Sequence, residues 1–520
     1  MIDKKSIIEN SRRNPKWVHF GGGNLFRGFH AEIAQNLIEN KFSNTGIIVC
    51  ETFDEEIIEK AYHNLNNEFM QVVMKSNGEV EKKLINSVSD SYYANPSEKN
   101  EFRKVKEIFE NPSLQMVTIS ITEKGYALTD ADGKILPIVQ RDMDAGPDNV
   151  HHTMSILASL LYDRFKAGGY PIALVSTDNF SHNGEKLGTS ILHIVSEWNK
   201  RNLVSIKFVD FIKDRTKVSF PWTMIDRITP NPSTKVQKIL EDSGIKNTKI
   251  IHTKKGTNIA SFVNTEETHY LVIEDDFPNG RPVLEKAGVI MTDRQTVDKA
   301  DAMKVTTCLN PLHTALAIFG CLLNYDSISE EMKDDDLRGL VENIGFKEGL
   351  PVVTSPEIID PENFLSEVIN KRLPNPYIPD TPQRIVTDTS QKISIRFGET
   401  IKKYSEIGKL DELNFIPLVI AAWFRYLMAI DDQGKEMKLS SDPLLKDLSK
   451  ELKKIEFGII DDNKIQVVLN SILRNNSIFG SDLVELGLAK KIIAYFEKMN
   501  SNKGEIRKTL NMVLNEKGNR

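Results

Sequence analysis

The sequence predicts an α/β fold in two parts, a doubly wound parallel sheet covered by helices and then a mainly α-helical domain. Three features predict it. Short, nearly all-apolar strands alternate with longer helical patterns early in the chain; a glycine turn joins the first strand to the first long helix; and from about residue 300 the strand signals thin out while helical periodicities continue.

The candidate strands of the first part are KWVHF (16–20), GIIVCET (46–52), LQMVTISIT (114–122) and YPIALVST (170–177). Strands this apolar are expected to be covered on both faces, as in a parallel sheet. Between them lie LFRGFHAEIAQNLIEN (25–40), a charged helix around 98–110, and VHHTMSILASLLYDRFKAG (150–168). The stretch 203–298 reads as mixed strands, turns and excursions such as EDDFPNGRP, belonging to the same domain, so the expected division is 1–298 and 299–520. The second part shows helical periodicity at 310–325, 362–372, 380–404 and 411–431, with more to the end. Neither part contains an internal repeat or a low-complexity segment.

A chain of 520 residues exceeds the size at which one hydrophobic core keeps growing. With 40% hydrophobic and 27% charged residues it has an ordinary globular composition, and a net charge of −6 offers no basic surface for nucleic acid. The longest apolar runs, such as LNFIPLVIAAWF (413–424), fall short of the roughly 20 residues that span a bilayer. The N-terminus MIDKKSIIENSRRNPKW has no apolar stretch or cleavage site of a secretory signal, so a cytoplasmic protein without membrane contact is expected. Cys50, Cys308 and Cys321 form no C-x-x-C pair and are expected to be free, buried thiols.

The first strand runs into HFGGGNLFRG, which sets Gly21, Gly22 and Gly23 between a strand and a helix. A dinucleotide's pyrophosphate binds at such a place, on backbone N–H groups at a helix N-terminus. The spacing matches the first two glycines of G-x-G-x-x-G, with Phe26 at the last position; a tight turn without a ligand is the other reading. Arg27 favours the ligand, because guanidinium matches phosphate. Glu51 ends the second strand with Asp54 just beyond, where a carboxylate accepts from the ribose hydroxyls of NAD and repels the 2′-phosphate of NADP.

The candidate chemistry lies in KVTTCLNPLHTALA (304–317). Asn310 before Pro311 reads as an N-cap, with the helix starting at 311 and His313 in its first turn. A cap and a satisfied core histidine are the plain readings. Lys304, beside a buried helix start and the positive end of its dipole, is expected to have its ammonium form disfavoured, which would make it a general base. Two polar clusters follow strands: STDNFSHNG (176–184), and FPWTMIDRITP (220–230) with Asp226 and Arg227. An Asx-stabilised turn and a structural ion pair are their plain readings, and for Arg227 the ion pair is preferred. The stretch 371–392 offers Arg372, Arg384 and Lys392, either as a solvated helix face or as contacts to a substrate rich in hydroxyls or bearing a carboxylate.

Five motifs, G-x-G-N-x-x-R (21–27), ITEKGY (121–126), STDN-x-x-HNG (176–184), FPWTMIDRITP (220–230) and K…N-x-x-H (304–313), with an NP…D…R…D…K pattern at 375–392, occur in this order along the chain. Together they resemble the polyol-specific long-chain dehydrogenase/reductase family, which includes mannitol dehydrogenases and hexuronate reductases. The resemblance implies a Rossmann-like NAD-binding domain, a helical substrate-binding domain, and metal-free hydride transfer at a secondary alcohol carbon. It casts Lys304 as acid/base, with Asn179 and Asn310 flanking the reacting oxygen and His313 holding a substrate hydroxyl and Lys304. Asp226 is then expected near the substrate, and Arg372 and Lys392 at its far end. The cofactor falls to Gly21, Gly22, Gly23, Asn24, Phe26, Arg27, Glu51, Glu123 and Lys124.

One departure stands out. The family spacing is K-x4-N, whereas five residues separate Lys304 from Asn310, so either the chain bulges before the helix or the lysine approaches from another angle. The NPLHTALA helix start is most similar to members acting on fructuronate and mannonate, with those acting on mannitol or tagaturonate as alternatives. A sugar acid or polyol substrate and a monomer or small homo-oligomer are expected. Two other classes compete: a non-catalytic NAD-binding protein, and a zinc-dependent alcohol dehydrogenase, for which the scattered Cys and His positions offer no ligand set.

Overall fold

The structure is a computed structural model that describes residues 3–518. The chain forms two compact units. One runs to Asp298 without Lys75–Gly78; the other holds Lys75–Gly78 and everything from Lys299 on.

Among the described residues the first unit has fourteen short strands: β1 Trp17–Phe20, β2 Ile47–Glu51, β3 Phe69–Met74, β4 Val80–Ile85, β5 Val88–Tyr93, β6 Met116–Ile119, β7 Ile172–Ser176, β8 Val218–Ser219, β9 Thr223–Asp226, β10 Ile251–His252, β11 Asn258–Ile259, β12 Phe262–Glu266, β13 Tyr270–Glu274 and β14 Ile290–Thr292. The central sheet has six strands in the order β5-β2-β1-β6-β7-β8, all parallel, with His19 opposite Val49 on one side and Thr118 on the other. All four expected strands are in it.

Alternation along each strand feeds two separate cores, because successive side chains point to opposite faces. Val18, Phe20, Ile48, Cys50, Val117, Ile119, Ile172 and Leu174 face one core, with helix Thr153–Ala167; Trp17, Ile47, Val49, Met116, Ala173 and Val175 face the other, with helix Ala31–Glu39. Two covered faces are what the apolar strands required.

β5 is an edge strand the sequence reading passed over. VSDSYY looks polar, yet it pairs with β2, and Arg12 donates twice to Asp90, at 2.9 and 2.8 Å. The remaining strands form two three-stranded sheets, β12-β3-β4 and β14-β13-β9, and a β10-β11 pair.

In the second unit helix Asn310–Leu322 packs against Phe415–Leu427, all of whose residues are buried. The amides at the start of Phe415–Leu427 are capped from elsewhere in the chain: Glu348 accepts from Phe415 N at 2.7 Å and Ile416 N at 2.8 Å. The expected helix over 380–404 is instead broken into Pro382–Ile385, a turn at Thr389–Gln391, a π-turn at Ser394–Gly398 and helix Glu399–Glu406. The break falls at Asp388, which adopts a left-handed φ of 55°. Arg294–Leu322 forms one 29-residue helical run, long and apolar enough to cross a membrane, but 72% of its apolar window is buried in protein, which marks a core helix. Cys50, Cys308 and Cys321 are free and buried, as expected.

Candidate active site

The polar residues of the first unit gather at the carboxyl ends of β2, β1, β6 and β7, around the point where the strand order reverses, which is where open α/β sheets bind ligands. Gly21 follows β1 directly, with φ 109° and its N–H donated to Cys50 O at 2.8 Å. A Cβ there would lie 2.0 Å from Ser120 O, so the position requires glycine. Gly23 has open space where a Cβ would be.

Glu51 is fastened beneath this turn. Its Oε2 accepts from Gly22 N at 3.0 Å, and Oε1 accepts from Thr52 N and Phe53 N at 2.9 Å each. Burial raises its pKa, against the pull of these backbone N–H groups. Oε2 keeps a lone pair for a further donor. Asn24 reaches Asn231 Oδ1 at 3.3 Å.

Phe26 and Arg27 correct the sequence reading. The π-turn Phe26–His30 carries both side chains inward. The Phe26 ring stacks on His19 at 4.6 Å, and Arg27, fully buried, donates to Ala260 O at 2.8 Å and lies 4.5 Å over the Phe69 ring. Its guanidinium joins this turn to the strands behind it and is not presented to a phosphate. Burial pushes its pKa down to about 10.

The motifs ITEKGY, STDN-x-x-HNG and FPWTMIDR are parts of one network, which spacing alone did not reveal. Asp178 accepts from Ile121 N at 2.8 Å, Thr122 N at 3.0 Å and Tyr126 Oη at 2.6 Å, fixing the loop of Glu123 and Lys124 to the end of β7. Burial raises the Asp178 pKa, which these three donors partly offset. Asn183 accepts from Thr223 N at 3.0 Å and donates to Thr223 Oγ1 at 2.8 Å, tying the third motif to the second. Gly184 permits this approach, since a Cβ would lie 2.5 Å from Pro221 O. Asn179 itself is exposed, and Glu123 and Lys124 are exposed on their turn, with Glu123 paired to Lys186 at 3.0 Å. Asp226, at the end of β9, is buried opposite Tyr270. Arg227 makes the expected structural ion pair, with Glu32, and donates to Thr265 Oγ1 at 2.6 Å.

In the second unit the extra residue before Asn310 is a π-turn. Lys304–Cys308 closes with Leu309 N donating to Lys304 O at 3.1 Å, five residues back, and Leu309, at φ −129° and ψ −63°, leads into the helix Asn310–Leu322. A π-turn inserts one residue into a helix, a device common at functional sites. The cap reading of Asn310 is corrected accordingly. Asn310 is the first residue of the helix, with Leu309 in the cap position before it; it is half-buried, and its side-chain amide has no hydrogen-bond partner among the described residues.

Lys304 is buried, its side chain 2% exposed, with Nζ 3.3 Å from Asp301 Oδ1 one turn back. His313 Nε2 lies 3.2 Å from Asp380 Oδ2, close enough for an ion pair though not aligned as a hydrogen bond, so its charged partner is Asp380 and not Lys304. Arg384 also pairs with Asp380. Burial alone would raise the Asp380 pKa; His313 and Arg384 bring it below the usual value. Arg372 is buried in the π-turn Val368–Arg372, and Lys392 Nζ donates to Thr387 O at 2.5 Å. Asp301, Asp380, Asp178 and Asn183 were not singled out from the sequence, although the last three lie inside motifs that were. Among the described residues no group of three or more His, Cys, Asp or Glu is placed to hold a metal ion.

A glycine turn and a fixed carboxylate at the switch point of a parallel sheet, followed by a helical unit carrying a buried lysine, define a two-domain dehydrogenase of the Rossmann type. The mannitol dehydrogenase Rossmann-domain model matches residues 15–286 and the mannitol dehydrogenase C-terminal-domain model matches residues 296–500. The chain belongs to the mannitol dehydrogenase family. A D-mannonate oxidoreductase of Thermotoga maritima is 53% identical over 517 residues, 99% of this chain and 95% of that one. Among solved structures, a substrate-free D-sorbitol dehydrogenase shares the fold, with TM-score 0.80, 24% identity and coverage of 97% and 95% of the two chains. The Pseudomonas fluorescens mannitol 2-dehydrogenase, solved with NAD and D-mannitol, has TM-score 0.67 and 26% identity over 96% of this chain and 94% of that one.

Proposed function

We propose that this protein is an NAD(H)-dependent D-mannonate oxidoreductase that interconverts D-fructuronate and D-mannonate without a metal. The observation that carries the reading is the 53% identity to the Thermotoga maritima D-mannonate oxidoreductase along 99% of the chain. Its first unit suits a dinucleotide: the glycine turn leaves backbone open at Gly23, and Glu51 holds a carboxylate where ribose hydroxyls bind and a 2′-phosphate would be repelled. When bound, the nicotinamide ring supplies or accepts the hydride.

The chain's own residues handle the proton and the charge. In reduction Lys304 Nζ gives a proton to the ketone oxygen, and in oxidation it takes that proton from the hydroxyl; Asp301 orients the lysine. The amides of Asn310 and Asn179 donate to the oxygen as charge develops on it. His313, backed by Asp380, donates to a neighbouring hydroxyl, and Asp226, Arg372 and Lys392 contact the rest of the sugar. Gly21, Gly22, Asn24, the backbone at Phe26, Glu123 and Lys124 complete the cofactor side. The enzyme acts in the cytoplasm as a monomer or small homo-oligomer.

NADH oxidation measured against fructuronate, tagaturonate and fructose tests the reading. Fructuronate should give the highest kcat/KM, and activity should survive dialysis against EDTA. Efficient fructose reduction with inert uronates overturns the substrate, and activity lost to EDTA and restored by zinc overturns the metal-free mechanism.

A further inference from the structure

Three buried arginines of this protein are tied into the fold by their guanidinium groups. Arg164 donates to five backbone carbonyls, Arg27 to two, and Arg227 pairs with Glu32. Arg396, in the π-turn Ser394–Gly398, is different. Its Nη1 donates to Thr314 Oγ1, and that is its one side-chain hydrogen bond among the described residues. No carboxylate stands near enough to raise its pKa, and burial pushes it down to about 10. The residue is half-buried, so the remaining N–H groups keep access to solvent.

Thr314 in turn donates to Asn310 O at 2.9 Å, which fastens Arg396 to the first turn of the helix that carries Asn310 and His313. Lys392 lies one helical turn before Arg396. Burial lowers the Lys392 pKa first and the charge of Arg396 lowers it further, against the opposing pull of Asp388 and Asp442. Of the carboxylates nearby, Asp380 holds His313 and Arg384, Asp442 accepts from Ser390 N at 2.8 Å and Leu444 N at 2.9 Å, and Asp388 and Asp442 act on Lys392 rather than on Arg396. Arg396, with no carboxylate of its own, is thus left beside the positive end of a helix dipole with donors to spare. Such a place favours an anion, and a guanidinium fork fits a carboxylate with two parallel bonds.

We propose that Arg396, flanked by Lys392, binds the carboxylate of the sugar-acid substrate and sets the preference for a sugar acid over a neutral ketose. This rests on the function proposed above. It makes Arg396 a specificity residue, pinned by Thr314 so that its fork is ready before the substrate arrives.

The test compares kcat/KM for fructuronate and for fructose in wild type, Arg396→Gln and Arg396→Lys, with NADH affinity and thermal melting as controls. In Arg396→Gln the fructuronate-to-fructose ratio of kcat/KM should fall roughly 10- to 100-fold, chiefly through KM for the uronate, as expected for one charge-assisted contact. Arg396→Lys, which keeps the charge and loses the fork, should recover part of it, and it supplies the readout if the glutamine variant melts too low to assay. Inhibition by D-mannonate should weaken in parallel, while inhibition by mannitol changes less. A ratio that stays at the wild-type value in a folded variant overturns the assignment alone. A wild type that reduces fructose but not fructuronate overturns the function and the assignment together.

Discussion

At the carboxyl ends of the parallel sheet, Glu51 and Asp178 accept most of their hydrogen bonds from backbone N–H groups, whereas Lys304, His313 and Arg396 in the helical unit are held by other side chains. The difference is physical. Backbone donors move only if the chain moves, so the first unit holds its ligand-facing groups as rigidly as its own strands. Side-chain partners can be removed or titrated one at a time, so the second unit's groups are coupled to chemistry more than to folding. Substitutions in the first should therefore cost stability, and those in the second should cost turnover.

The largest effect is expected at Lys304. Lys304→Ala should lower kcat roughly 10²- to 10⁴-fold, the usual worth of a positioned acid/base, while NADH binding followed by fluorescence titration is unchanged. A normal turnover in this variant would favour a non-catalytic role for the helix start. Next comes Gly21→Ala, which forces a Cβ to 2.0 Å from Ser120 O at φ 109°. It should lose at least about 2 kcal/mol in urea unfolding, more than a surface substitution can produce. Asp178→Asn should follow, at about 1–3 kcal/mol, because it weakens the acceptors of Ile121 N, Thr122 N and Tyr126 Oη together. It should also raise KM for NADH, since the loop of Glu123 and Lys124 loses its anchor.

The smallest effect probes the exception, Glu348, a backbone-bonded carboxylate inside the helical unit. Burial raises its pKa to about 7, against its backbone donors and Lys491. An acid with a raised folded pKa is protonated longer in the native state than in the unfolded chain. Its contribution is fullest at low pH and is lost as pH rises from the ordinary value of 4.5 towards 7. Urea midpoints across that range should fall with a shallower slope in Glu348→Gln than in wild type.

Much of this was legible in the chain itself. The strands at 16–20, 46–52, 114–122 and 170–177 could be read because each is a short apolar run with both faces to be covered, and the change to helical texture near 300 is a change of periodicity. Gly21 and Glu51 could be placed because a strand-to-helix turn and the next strand's end fall at predictable positions. Local chemistry misled at Asn310, where Asn-Pro signals a cap but the cap falls one residue earlier at Leu309, and at Arg27, where spacing cannot tell which way a π-turn sends a guanidinium. β5 was passed over because its pairing with β2 and the Arg12–Asp90 bond offset a polar sequence.

What the amino-acid order determined, then, is the fold class and the family, since hydrophobic periodicity and motif order are one-dimensional properties. Tertiary structure alone decided which polar groups meet: Asp178 with the ITEKGY loop, Asp380 with His313, Arg396 with Thr314. Those partners are 52, 67 and 82 residues apart, and only packing brings such groups within reach.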